Sequence, residues 1–422
     1  MTDKFALLEK YNFWNNPMPE MGLHRDVYLR KINDFIGNKL VKVLVGQRRA
    51  GKSYILRQLI YSLIKNGVPA KNIFYINKEF TDFDFISSYN HLNELVNIYR
   101  QNMMPIGKIY IFIDEIQNIE GWEHLINSYS QDYTNSNEIF ISGSNSQLLS
   151  GELATLLSGR YIQFQIFPFN YHEFIQINHI ENTKAAFLQY LQTGGLPELF
   201  HLPNDETKQH YITAIKDTIL LRDIIQRYNI KDARLLEDIF TFLVNNASNL
   251  ISINSIINYF KSKNRKTNYE TIAHYIGYLK NTFLIHQVDR YNIKGKEIVS
   301  GNCKYYINDL AFKNYLYSGF EYGMGYKLEN IIYLQLINSG YTVYTGIVRN
   351  KEIDFVATKN NRIIYLQVAY LLIDKKTIER EYTELEKIPD NYEKFVITLY
   401  DIQLPSHNGI QHILAWQLNN IL

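Results

Sequence analysis

Short apolar runs alternate with helical patterns through the first half of the chain. Five of these runs favour β-strands, at residues 40–45, 72–76, 108–113, 138–142 and 161–166. Between them apolar residues recur at helical spacing, as in residues 54–65. Near-continuous apolar strands separated by helices are typical of a parallel sheet with helices on both faces. The pattern predicts an α/β domain over residues 1–204, which ends near the Gly and Pro residues at 193–197.

The pattern becomes mainly helical over residues 205–320. Apolar residues keep helical spacing over 235–243 and 253–260, and Thr267 with Glu270 forms a capping-box pattern before a third helix. Residues 283–291 and 304–307 flank a turn at 294–296, which predicts a β-hairpin. Three helices followed by a hairpin is the order of a winged helix, so a winged-helix domain is predicted here.

The last part of the chain, residues 321–422, predicts an α+β domain. Residues 327–338 have the spacing of a helix. Strands are predicted at residues 341–344, 352–358, 362–369 and 395–399.

One motif lies between the first apolar strand and the first long helix. Residues 46–53 are Gly-Gln-Arg-Arg-Ala-Gly-Lys-Ser, the P-loop pattern in its usual context. Backbone N–H groups of such a loop surround phosphates, Lys52 reaches the β- and γ-phosphates, and the Ser53 hydroxyl binds Mg²⁺. Of Arg48 and Arg49, at least one is expected to face solvent. The predicted nucleotide contacts are Gly46, Gln47, Arg48, Arg49, Ala50, Gly51, Lys52, Ser53 and Tyr54.

A pair of acids follows the third apolar strand. Asp114 is placed to bind Mg²⁺, and Glu115 is placed to orient and deprotonate an attacking water. An acid pair after a strand is often only solvated loop charge. Its position downstream of a P-loop favours the catalytic interpretation.

These motifs resemble a prokaryotic family of AAA-type ATPases, in which the P-loop module precedes a winged helix and a restriction-endonuclease-like domain. The resemblance implies binding of ATP with Mg²⁺ and hydrolysis of ATP. Besides the P-loop, it rests on residues 114–117, 141–145, 157–160 with Pro168, 194–197, 329–330, 352–354 and 367–370.

The resemblance also implies roles for three further residues. Ser144 or Asn145 occupies the sensor position, where a polar side chain contacts the γ-phosphate or the attacking water. The alternative is a turn-forming Gly-Ser-Asn cluster. Arg160 occupies the position of an arginine finger, which acts on the nucleotide of a neighbouring subunit. The alternative is an exposed arginine at a helix end.

The end region departs from the nuclease pattern that it resembles. Glu329 and Asp354 match two acids of a PD-(D/E)XK site, but Gln367 and Ala369 stand where a carboxylate and a lysine are needed. An amide is a poorer ligand for Mg²⁺ than a carboxylate, and alanine cannot assist proton transfer. We therefore expect a nuclease-like domain without nuclease activity.

Charge changes this picture in one region. The whole chain has 44 basic and 42 acidic residues, so no global field favours nucleic acid. Residues 255–304 instead contain nine basic and three acidic side chains, which favours contact with double-stranded DNA through the winged helix. Protein docking is the alternative. The basic residues are Lys261, Lys263, Arg265, Lys266, Lys280, Arg290, Lys294, Lys296 and Lys304.

Two functions follow from the sequence. In the first, ATP hydrolysis is coupled to association with DNA. In the second, the protein is a slow ATP-dependent switch that signals to a protein partner; in both, a homo-oligomer is compatible with the motifs. A single cysteine, Cys303, and the lack of a long apolar segment or signal peptide predict a cytoplasmic protein without membrane contact.

Overall fold

The computed structural model describes residues 3–149, 157, 159–317, 323–349, 351–370 and 375–422. The chain divides into two compact units, residues 1–167 and 168–422, and each is described by itself. None of the described helices combines the length and the apolar character that crossing a membrane requires.

The first unit contains a sheet of five parallel strands in the order β2-β3-β4-β1-β5. Each strand coincides, within a residue or two, with one of the five apolar runs, so the predicted parallel sheet is confirmed. The strands are β1 (Val41–Val45), β2 (Ile73–Asn77), β3 (Ile109–Asp114), β4 (Asn137–Gly143) and β5 (Tyr161–Gln165).

Helices cover both faces of this sheet because both sets of alternating side chains are apolar. Phe112 and Phe140 stack at 4.4 Å between ring centroids and pack in one core with α3. On the opposite face Phe74 lies 5.3 Å from Tyr99 of α4. The helices are α1 (Lys4–Tyr11), α2 (Asp26–Asn33), α3 (Lys52–Lys65), α4 (Tyr89–Met103) and α5 (Trp122–Gln131).

The strand register places the carboxyl ends of the strands at one edge of the sheet. Asn77, the last residue of β2, pairs with Asp114 at the end of β3. Val45, the last residue of β1, pairs with both Gly143 and Gln165. The loops that follow β1, β3 and β4 therefore meet at this edge.

The helical regions predicted for the second unit are helical, but the pattern did not predict the helix Lys375–Glu386. The three helices and the hairpin predicted for 205–320 are present, with a two-residue strand between the first two helices. A π-helix, Ile219–Gln226, precedes them. The α-helices are α6 (Tyr171–Asn178), α7 (Lys184–Thr193), α8 (Asp205–Thr218), α9 (Ala233–Asn245), α10 (Ile253–Ser262), α11 (Tyr269–Asn281), α12 (Ala311–Leu316), α13 (Met324–Asn338) and α14 (Lys375–Glu386).

The predicted start of α11 is wrong by one residue. Asn268, not Thr267, is the N-cap, and its side chain accepts a hydrogen bond from the Thr271 N–H at 2.8 Å. Asparagine is at least as good an N-cap as threonine, so the sequence offered two neighbouring candidates.

In the described part of the second unit, eight strands form a mixed sheet in the order β13-β12-β11-β10-β9-β7-β8-β6. The hairpin β7–β8 joins the strands of the end region through parallel pairing of β7 with β9, at residues 290–292 and 345–347. The pattern did not predict β13. The strands are β6 (Leu250–Ile251), β7 (Ile285–Asn292), β8 (Glu297–Ile307), β9 (Thr342–Val348), β10 (Lys351–Lys359), β11 (Arg362–Ala369), β12 (Glu393–Thr398) and β13 (Ile410–Leu414).

The glycine and proline residues near 194–197 lie inside the second unit. The Gly195 N–H donates to Asp309 Oδ2 at 2.9 Å, and the Gly195 carbonyl accepts from the Phe169 N–H at 2.7 Å. These bonds join three distant segments of the same unit. The three predicted domains, 1–204, 205–320 and 321–422, stay predictions, as do the winged-helix and restriction-endonuclease-like folds.

Candidate functional site

The loop between β1 and α3 requires glycine at two positions. At Gly46 a Cβ atom would lie 2.2 Å from the Ile166 carbonyl oxygen, so any side chain would force the backbones apart. Gly51 has φ of 100° immediately before α3, in the left-handed region that favours glycine. The loop therefore curls closely against β5 before the helix begins.

Lys52 is buried inside this loop. Its ammonium donates to the carbonyl oxygens of Gly46 at 3.1 Å and Gln47 at 3.3 Å, and it lies 3.6 Å from Glu115 Oε1. Only 4% of the residue is exposed. The positive charge is thus held at the mouth of the loop by oxygen atoms that a phosphate can replace.

Asp114 is fully buried at the carboxyl end of β3. Ser142 Oγ donates to Asp114 Oδ1, and Asn77 Nδ2 donates to Oδ2 at 3.2 Å. The Ser53 side chain is also hydrogen-bonded to it. Burial, and next the charge of Glu115, raise the pKa of Asp114 to about 6. Such a carboxylate favours a nearby cation.

Glu115 is buried beside Asp114, with a left-handed backbone at φ of 57°. Gln117 Nε2 donates to Glu115 Oε2 and also to Ser144 Oγ at 3.3 Å. Burial opposes ionisation of Glu115, but the charge of Lys52 and the Gln117 hydrogen bond outweigh it and lower the pKa. The site therefore contains an ionised carboxylate next to the P-loop lysine.

Comparison with known proteins places this site in a family. Residues 38–175, which include the P-loop and both acids, match the family described as an AAA domain. An uncharacterized protein of Haemophilus influenzae is 33% identical over 409 residues, which cover 95% of this chain and 100% of that protein. The chain belongs to this prokaryotic family of AAA-type ATPases.

Other similarities extend over the rest of the chain. An uncharacterized protein of Methanocaldococcus jannaschii is 30% identical over 424 residues, 95% of this chain and 91% of that protein. Residues 184–322 match a domain of unknown function.

The solved structures are less similar in sequence to this chain than the two relatives above. The Walker-type ATPase of Pyrococcus abyssi is 16% identical, with a TM-score of 0.46 over 71% of this chain and 99% of that one. DnaA from Aquifex aeolicus, bound to AMPPCP, is 18% identical with a TM-score of 0.33 over 64% and 93%. At these TM-scores neither likeness bears on function.

The remaining predicted nucleotide contacts differ in exposure. Gln47 and Ala50 are buried in the loop, whereas Arg49 is exposed and Arg48 forms an ion pair with Glu79. Tyr54 is also exposed, and the Arg57 guanidinium lies 4.2 Å from its ring. Arg49 thus agrees with the expectation that one P-loop arginine faces solvent.

The two predicted sensor residues lie at the same sheet edge as the acids. Ser144 and Asn145 follow β4 directly and are buried. Ser144 accepts the hydrogen bond from Gln117 described above, which connects it to Glu115. Their sensor role stays a prediction.

Arg160 lies at the opposite edge of the sheet. It precedes β5, and its carbonyl accepts from the Val41 N–H at 2.9 Å, at the amino end of β1. A five-residue strand separates this edge from the P-loop by about 16 Å. The exposed Arg160 side chain is thus unsuited to the nucleotide of its own subunit. The helix predicted to end at Arg160 lies outside the described residues.

Fewer basic side chains of the second unit are available to contact DNA than the sequence suggested. Arg265 forms ion pairs with Asp232 and Asp238, and Lys304 is buried among carboxylates. Neither side chain is available to contact DNA phosphates. Six of the predicted basic residues are exposed: Lys261, Lys263, Lys266, Lys280, Lys294 and Lys296.

The sequence did not indicate the contacts of Asn77, Ser142 and Gln117 with the two acids. It also did not indicate an arginine that forms a hydrogen bond to the P-loop backbone. The buried Arg25 donates from one nitrogen to the Ala50 carbonyl at 3.1 Å and the Phe167 carbonyl at 2.9 Å. Its guanidinium also lies 4.5 Å from the ring of Tyr28. No local motif marks Arg25, because its partners are distant in the chain.

Replacing Arg25 by methionine should weaken ATP binding about tenfold or more, because hydrogen bonds from a charged donor hold the P-loop carbonyl of Ala50. The measurement is a fluorescence titration with an ATP analogue, with thermal unfolding run in parallel. Arg30→Met, an exposed position on α2, is the control and should bind as the wild type does. Lower thermal stability with unchanged affinity would show that Arg25 supports only the core.

Proposed function

We propose that this protein binds ATP with Mg²⁺ at the P-loop and hydrolyses it to ADP and phosphate. The observation that carries the proposal is the ionised Glu115 carboxylate, 3.6 Å from the Lys52 ammonium and adjacent to Asp114. One edge of the sheet therefore carries the three groups that the reaction needs. Lys52 is the cation that binds phosphate, Asp114 is the carboxylate for the metal, and Glu115 is the carboxylate for the attacking water.

The residues of the loop have distinct roles in this proposal. The N–H groups at the start of α3 and the Lys52 ammonium bind the phosphates. The Ser53 hydroxyl and the Asp114 carboxylate are hard oxygen donors that suit Mg²⁺, and the ion would neutralise phosphate charge. The buried Asp114, with its raised pKa, fits a site that is completed by a cation.

Glu115 acts as the general base toward the attacking water. When phosphate draws the Lys52 ammonium away, Glu115 loses a neighbour that lowers its pKa and becomes a stronger base. Gln117 holds the carboxylate in position through its amide N–H. Ser144 or Asn145 contacts the γ-phosphate or the water from the end of β4.

Glu115→Gln should retain ATP and lower the hydrolysis rate about a hundredfold or more, because the metal ligands remain while the base is lost. Lys52→Ala should instead lose ATP binding. The measurements are an ATP titration and a phosphate-release assay. Glu120→Gln, an exposed glutamate five residues further along, is the matched control. Hydrolysis by Glu115→Gln at the wild-type rate would place the base elsewhere.

Arg160 is proposed to act on the nucleotide of a neighbouring subunit in a homo-oligomer. The support is its exposure and its position at the sheet edge away from its own P-loop. Arg160→Ala should bind ATP normally and hydrolyse it about a thousandfold more slowly. Specific activity of the wild type should rise with protein concentration. The control is Lys39→Ala, an exposed cation at the same edge; full activity of Arg160→Ala would remove the proposed role.

Association with double-stranded DNA is a second part of the proposal, supported by exposed lysines before α11. Lys261, Lys263 and Lys266 lie on one short segment, whereas Arg265 between them is neutralised by two aspartates. Replacing the three lysines by alanine should flatten the dependence of log K on log salt by about 0.9 for each DNA phosphate that a lysine no longer neutralises.

The alternative function is a slow ATP-dependent switch that signals to a protein partner without binding DNA. Fluorescence anisotropy with duplex DNA at low salt, in the presence of ATP, distinguishes the two. Arg265→Ala serves as the control, because its charge is already paired and its removal should leave the salt dependence unchanged. Absence of wild-type binding under these conditions would favour the switch.

A further inference from the structure

An ionic cluster in the second unit includes none of the residues proposed to bind ATP, and all of its members except the partly exposed Glu352 are buried. It combines Lys304 and Tyr306 of β8, Glu329 of α13, and Glu352 and Asp354 of β10. Two of the acids, Glu329 and Asp354, match the metal ligands of the nuclease pattern. The lysine comes from the hairpin, far from the sequence position where a nuclease has one.

The Lys304 ammonium lies between the three carboxylates. Its nitrogen is 2.7 Å from Glu329 Oε1, 2.6 Å from Glu352 Oε1 and 3.7 Å from Asp354 Oδ1. The ammonium forms close ion pairs with Glu329 and Glu352, whereas Asp354 lies beyond hydrogen-bond distance and interacts only through its charge. Only 3% of the lysine side chain is exposed.

Protein donors other than Lys304 also bind one oxygen of Glu329 and one oxygen of Asp354. Tyr306 donates its hydroxyl to Glu329 Oε1 at 2.7 Å, and the Val368 N–H donates to Asp354 Oδ2 at 2.7 Å. Gln367 Oε1 faces the Asp354 N–H at 3.4 Å. Within the described ranges, no three His, Cys, Asp or Glu side chains are arranged to hold a metal ion. The residues therefore do not fit the divalent metal that the nuclease pattern implies.

We infer that the Lys304 ammonium is the built-in cation of this cluster and takes the place of the divalent metal of a nuclease. It offsets the negative charge of the acids around it, where a nuclease has a metal ion. At the same time it connects the hairpin to α13 and β10, so two regions predicted as separate domains share one buried ionic core. The cluster binds no Mg²⁺ and activates no water.

Lys304 favours the charged form of both buried acids of the cluster. Burial raises the pKa of Glu329, and burial together with the charge of Glu329 raises the pKa of Asp354 to about 8, while Lys304 acts against both shifts. Burial opposes the charge on Lys304 itself, but the three acids outweigh it and raise the pKa of the lysine. The ammonium therefore stays charged at neutral pH. Removal of Lys304 leaves the buried acids without their cation, so they must either take up protons or bind another cation, and both cost stability.

The test uses the full chain with Asp114→Asn as background, so that the predicted Mg²⁺ site at the P-loop does not contribute. Binding of Mn²⁺ is measured by electron paramagnetic resonance, and stability by thermal unfolding with and without Mn²⁺. The background protein should bind no Mn²⁺ at the cluster. Lys304→Met should unfold at lower temperature, and Mn²⁺ should restore part of the difference.

Two further variants separate the proposed role from simple packing. Lys304→Met with Glu329→Gln should be more stable than Lys304→Met alone and insensitive to Mn²⁺, because one unpaired carboxylate is removed. Lys294→Met, an exposed lysine at the tip of the same hairpin, should change neither property. If Lys304→Met is insoluble, the yield of soluble protein is measured instead of the melting temperature. The inference is contradicted if neither Mn²⁺ nor the added Glu329→Gln substitution increases that yield.

Metal binding in the intact cluster would overturn the inference directly. Mn²⁺ that binds the background protein but not its Glu329→Gln variant would show that Lys304 does not exclude a metal. The inference would also be overturned if the protein cleaves DNA or RNA in Mn²⁺ and Glu329→Gln abolishes the cleavage. That result would show that the end region is an active nuclease.

Discussion

The parallel register of β1 to β5 is the constraint on which the nucleotide site depends. It brings the residues after three strands to one edge of the sheet, where Lys52, Glu115 and Ser144 follow β1, β3 and β4. No single loop contains these groups. A break in register would separate Glu115 from the lysine that keeps it ionised, so the chemistry depends on backbone pairing as much as on side chains.

The apolar runs predicted this sheet because a strand buried on both faces leaves a continuous signal in the sequence. The motif residues Lys52, Ser53, Asp114 and Glu115 were predicted for a related reason, since their roles are tied to fixed distances from a strand end. Arg25 carries no such signal. It meets Ala50 and Phe167 only in the folded chain, and its sequence neighbours resemble any helix start.

Charge counting failed in the second unit for the same physical reason. Lys304 counted as a basic residue of a DNA-binding surface, but folding buries it among acids from residues 329, 352 and 354. Arg265 likewise forms ion pairs with two aspartates, Asp232 at the N-cap of α9 and Asp238 within α9. A lysine in a sequence does not reveal whether it will meet solvent, phosphate or carboxylate, because that depends on strands paired far along the chain. The strand β13 was missed because its short segment interrupts the apolar pattern with Gln411 and the buried His412.

Phosphate release from ATP by the wild-type full chain tests the central claim most directly. The account predicts that phosphate forms in equal amount to ADP when Mg²⁺ is present, and that a chelator stops the reaction while leaving the fold intact. Continuous fluorescence detection of phosphate over a range of protein concentrations would measure it. Tight binding of ATP with no phosphate released at any protein or Mg²⁺ concentration would contradict the account.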